Sequence, residues 1–65
     1  MLVLSRRTDE SVVIQPAEGV DGNITLAQLF ANGPIQIILL GAPGRRAKIG
    51  IVAPEQLAIR RQDTI

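Results

Sequence analysis

The chain has no Cys, no His, no Trp and no Tyr, and a single Phe in 65 residues. Each absence removes a class of chemistry. Without Cys there is no disulfide framework, and without Cys and His the usual ligands of zinc, haem and iron–sulfur clusters are missing. A general base would have to come from six carboxylates or Lys48, and a Ser or Thr nucleophile would need the same groups to activate it. No carboxylate pair has the spacing of glycoside chemistry or metal binding. The expectation is therefore no enzyme, no metal, no cofactor and no small-molecule substrate. Long apolar runs are also missing. The longest, Ile37-Ile38-Leu39-Leu40, falls far short of the roughly 20 residues that span a bilayer, so no membrane partner is expected. The first seven residues place apolar before basic, the reverse of a secretory signal, which points to a cytoplasmic protein.

The length itself imposes a requirement. A domain of this size buries about 60% of the surface its unfolded chain exposes. It usually needs a disulfide, a metal or a second subunit. With the first two excluded, a dimer is the expected stabiliser.

What the chain does contain is segregated charge. The formal net charge is +1. Residues 1–7 carry Arg6 and Arg7; residues 8–32 carry Asp9, Glu10, Glu18 and Asp21 with no cation. Residues 33–65 carry Arg45, Arg46, Lys48, Arg60 and Arg61 against Glu55 and Asp63. All the cations thus fall in three tight groups, and all but Lys48 are Arg. Paired Arg can merely solvate a strand end. Three such groups in one small chain are instead the footprint of a polyanion binder, and Arg offers the planar fork that phosphate and guanine edges accept.

Alternation dominates the hydropathy pattern. Met1–Arg7 reads as a strand with Leu2, Leu4 and Arg6 on one face. Thr8-Asp9-Glu10 is a turn, and Ser11–Gln15 a β-branched second strand closed by Pro16. Residues 16–33 form an inserted loop plus helix. Thr25 and Gln28 fit a capping box, and Ile24 and Leu29 a hydrophobic staple. This predicts a helix over Leu26–Ala31, stopped by Asn32-Gly33 and Pro34. Its apolar side, Leu26, Leu29 and Phe30, is expected to lie on the sheet as a lid. Ile35–Leu40 is apolar at nearly every position and reads as a central strand covered on both faces. Gly41–Gly44 turns it into a fourth strand, Arg46–Val52, with Gly50 marking a bulge or close approach. Leu57–Arg61 is the fifth strand. The expected architecture is one domain over 1–65, mainly β with one short inserted helix, its five strands forming an intertwined two-chain sheet.

Two blocks of this pattern resemble the carbon storage regulator (CsrA/RsmA) family of bacterial RNA-binding translational regulators. The first is Met1-Leu2-Val3-Leu4-Ser5-Arg6-Arg7 followed by Asp9-Glu10, with Asp9 where the family usually has Gly. The second runs through Gly41-x-x-Gly44, Ala47-Lys48-Ile49-Gly50-Ile51-x-Ala53-Pro54 and Leu57-Ala58-Ile59-x-Arg61. Residues 16–32 depart from the tight connection typical of the family. The family's C-terminal helix has no counterpart before Ile65. The inserted helix therefore looks like a relocated one, a layout similar to the divergent RsmN/RsmF-type branch.

The resemblance implies a homodimer that binds GGA motifs in hairpin loops of mRNA leaders and of antagonist small RNAs. In the family, RNA binds where the first strand of one subunit meets the fifth strand of the other. Carried over, the RNA-binding residues are Leu4, Ser5, Arg6 and Arg7 on the first strand, and Ala53, Pro54, Leu57, Ile59, Arg60 and Arg61 on the turn and fifth strand. Arg61 holds the position of the family's most important arginine. The absence of Tyr and Trp excludes base stacking on aromatic rings, so reading must rest on Arg forks, aliphatic contacts and strand-edge backbone near Leu4 and Leu57. Arg45, Arg46 and Lys48 stay outside that core set. A protein-interaction module that has lost RNA binding would instead expose an apolar patch around the inserted helix. A swapped-β DNA-binding protein would prefer duplex to hairpin.

Overall fold

The alternating segments become strands. The computed structural model describes residues 1–63 and runs β1 (Leu2–Arg7), β2 (Glu10–Pro16), α1 (Leu26–Leu29), β3 (Gln36–Gly41), β4 (Arg46–Val52) and β5 (Leu57–Asp63). They make two antiparallel sheets, one ordered β1-β4-β3 and the other β2-β5. The mainly β fold with a short helix and the β3–β4 hairpin agree with the sequence reading.

Cross-strand partners share a face of a sheet. In the three-stranded sheet this puts Leu2, Ile51 and Ile37 in one apolar row, and Leu4, Ile49 and Leu39 in the next. Leu4 and Ile51 are sealed, at 4% and 3% exposure, while Ile37 and Leu39 at the end of the same rows stand open at 65% and 68%. The expectation that β3 is central and covered is thus overturned. It is the edge strand, bonded only to β4, with Ile38 and Leu40 on its other face also exposed. Among the described residues no further element lies against it.

The helix corrects the sequence reading in the same way. Its capping box forms as expected: the Gln28 N–H donates to Thr25 Oγ1 at 3.1 Å, and the Thr25 N–H to Gln28 Oε1 at 2.9 Å. The helix is one turn rather than two, ending where Phe30 leaves helical geometry and Gly33, at φ 125°, turns the chain away. It does not act as a lid. Leu26 is 74% exposed and Phe30 37%, and the helix makes no close backbone contact with any strand, although Ile24 and Leu29 of the staple line a small apolar cavity with Val20 and Leu57.

Gly50 marks a close approach of side chains, while the bulge itself lies across the ladder on β3, between Leu39 and Gly41. A Cβ on Gly50 would sit 2.6 Å from the Met1 sulfur and 3.3 Å from Leu40 Cδ1, so both side chains lie over bare backbone.

The chain is flat, with extents of 42 × 26 × 13 Å and a radius of gyration of 13.5 Å. A compact chain of this length would have a radius of about 11 Å. Its accessible surface is 5121 Å², against about 4,000 Å² for a compact monomer of this mass.

The β1–β2 turn holds Asp9 at φ 69°, the left-handed region. Asp tolerates that region better than most residues, and Gly enters it without strain. Asp9→Gly is therefore expected to match or exceed the wild-type thermal midpoint. Asp9→Val should lower stability by about 1–2 kcal/mol. A higher midpoint for the Val variant would show that the turn carries no such strain.

Candidate nucleic-acid interface

Arg61 comes to β1 from the other sheet. It lines a cavity of about 460 Å³ together with Val3, Leu4, Ser5, Arg6, Arg7, Glu10 and Arg46. Among the described residues β1 and β5 make no backbone approach to one another, so only the Arg61 side chain brings the fifth strand to this cavity. Arg61 reaches it from the β5 face shared with Leu57 and Ile59, by the two-residue period of a strand.

The arginines around this cavity are held differently. The Arg6 side chain is only 13% exposed. Its Nε donates to the Ser5 carbonyl at 2.9 Å, its Nη1 reaches the Ser11 carbonyl at 3.4 Å, and its Nη2 lies 3.8 Å from Glu10 Oε1. The same Glu10 oxygen accepts the Arg7 N–H at 2.7 Å. Arg6 and Glu10 thus fasten β1 to the start of β2, and Arg6 acts as a strut of the cavity wall. Arg7, Arg46 and Arg61 are exposed, and among the described residues none of them forms an ion pair.

β1 is the other edge of its sheet. The Arg7 N–H points away from β4 to reach Glu10, so by alternation the backbone groups of Ser5 and Val3 also face outward. Those of Leu4 face the ladder, and its side chain is buried. Leu4 is thus a core residue, and the strand-edge donors available for base reading are those of Val3 and Ser5.

The remaining sequence-derived residues lie elsewhere. Ala53 and Pro54 border a separate cavity with Asn32, Pro34 and Gln56. Leu57 borders the apolar cavity beside α1, and its N–H is used by the Pro54 carbonyl at 3.1 Å. Ile59 is half-buried opposite Ile14. Arg60 is exposed on the face of β5 opposite to Arg61. Val3, Glu10 and Arg46 are the members that sequence reasoning left out. The signal for Arg46 was its place in a cation cluster. The signal for Glu10 was its spacing of four from Arg6, the reach of a local ion pair, here made across a tight turn.

Removing the Glu10 carboxylate leaves the Arg7 N–H and the Arg6 guanidinium short of an acceptor. Glu10→Ala is expected to destabilise the chain by about 1–2 kcal/mol in urea unfolding, with Glu10→Gln retaining part of that loss as an amide acceptor. Equal stability of Glu10→Ala and wild type would remove Glu10 from the account of the cavity wall.

No solved structure matches the chain significantly. The family comparison covers the whole sequence. Residues 1–65 match the CsrA global regulator protein family, a family of RNA-binding post-transcriptional regulators rather than enzymes. With two sequence blocks in the family's order and first- and fifth-strand arginines around one cavity, the chain belongs to the CsrA family.

Proposed function

We propose that this protein is a homodimeric, cytoplasmic translational regulator that binds GGA-containing hairpin loops in mRNA leaders, with small RNAs carrying the same motif as antagonists. The observation that carries this reading is the cavity where Arg61 of β5 joins Arg6, Arg7 and Arg46 beside the open edge of β1. An unstacked guanine offers O6 and N7 to a bidentate Arg fork, and its other edges to backbone N–H groups such as those of Val3 and Ser5. The cavity contains both kinds of donor and no aromatic ring.

Two quantities support the dimer. The chain exposes about 1,000 Å² more than a compact monomer of its mass. A standard interface takes about 800 Å² from each partner. The apolar side chains of β3 are the surface a second copy would cover. The alternative, an interaction module without RNA binding, draws on the exposed Leu26 and Phe30, but leaves the arginines around the cavity without a role.

A gel shift with a GGA hairpin is expected to show tight binding by wild type, lost for a loop with the GGA scrambled. Arg61→Ala should weaken it by about 1–3 kcal/mol. Undiminished affinity in that variant would remove Arg61 from the site. In sedimentation, wild type is expected at the mass of two chains and Leu39→Asp displaced towards one. A wild-type monomer would overturn the dimer.

A further inference from the structure

The β3–β4 turn carries Arg45, which the loop-reading cavity does not include, next to Arg46, which it does. Pro43 accepts the Arg46 N–H at 3.2 Å, and Gly44 between them has φ 62°. Glycine with positive φ at the first central position is the requirement of a type II′ hairpin turn. It places Arg45 at the tip and Arg46 at the start of β4. There Arg46 sits directly opposite Arg7. Because the Arg7 N–H leaves the ladder for Glu10, this is a non-hydrogen-bonded pair, the class whose side chains stand closest. Like charges so placed repel.

Nothing within the described chain relieves that repulsion. Glu10 is committed to Arg6 and to the Arg7 backbone, and neither Arg7, Arg45 nor Arg46 has an ion pair among the described residues. A second cavity of about 520 Å³ lies between Arg7, Thr8, Pro43, Arg45 and Arg46, with no carboxylate in its lining. It shares Arg7 and Arg46 with the first cavity. The result is a continuous cationic path from Arg61, past the Arg7–Arg46 pair, out to Arg45.

We infer that this path is a phosphate track for the RNA backbone that flanks the recognised loop, with Arg45 gripping the stem and taking no part in base reading. The inference rests on the RNA-binding reading above. Phosphate contacts fix register and orientation without carrying sequence information, and Arg forks suit phosphate oxygens. An RNA backbone would also supply the negative charge that the Arg7–Arg46 pair lacks.

The test uses fluorescence anisotropy over a salt series with two RNAs: a GGA loop closed by a stem, and the same loop as an unpaired oligonucleotide. Arg45→Gln is expected to weaken hairpin binding severalfold and to reduce the log–log salt slope by about 1. It should leave the unpaired oligonucleotide and the preference for GGA over a scrambled loop unchanged. Arg45→Lys should restore the slope, since a point charge still releases a counterion. An unchanged slope for the hairpin, or an equal loss for both RNAs, would overturn the track while leaving the RNA reading intact. Failure of wild type to bind either RNA would overturn both.

Discussion

A strand with apolar side chains on both faces has to be covered on both faces, and this chain cannot cover β3 by itself. Parts of the 65-residue chain go into a two-stranded sheet and an inserted loop, and what is left makes a three-stranded sheet ending at β3. Leu4 and Ile51 mark how far the core extends, and Ile37 and Leu39 mark where it stops. The flatness of the chain, the excess surface and the exposed helix all follow from that shortage.

The arginine-lined cavity sits at the opposite edge of the same sheet. β1 turns the N–H groups of Val3 and Ser5 outward, and β5 contributes Arg61 from the second sheet. Glu10 holds this corner together with one carboxylate oxygen, taking the Arg7 N–H directly and Arg6 through charge. One arginine is thereby made structural, and three are left exposed around a common cavity. Cationic side chains that repel in the free protein are pre-arranged for a polyanion, because binding removes a repulsion as well as adding contacts. Division of the site between edge backbone and guanidinium forks also explains how a protein nearly without aromatic residues can be a nucleic-acid reader.

Local features were legible from the sequence where local chemistry decides them. The strands, the Thr25–Gln28 capping box and the β3–β4 hairpin depend on alternation and turn residues within a few positions of one another. Bulge placement was less legible: Gly50 pointed to the right level of the ladder, but the extra residue was accommodated on β3, where Leu40 could lean over the bare glycine. The helix was overextended because its caps are readable while its cover is not. The same limit applies to the site. Leu4 was a contact candidate by position, yet its alternation partner Ser5 has the outward-facing backbone.

The sequence by itself determined the class of chemistry: no Cys or His for metal, no aromatic platform for stacking, and arginines in three groups that call for a polyanion. It also limited how large the core could be, since that follows from length and composition. Tertiary structure alone decided which arginines meet. Residues 6, 7, 46 and 61 are scattered along the chain, and only the β1–β4 register and the reach of Arg61 from the β2–β5 sheet bring them to one cavity. Register is a long-range choice in which a one-residue slip reverses every face, so no local pattern could have announced it.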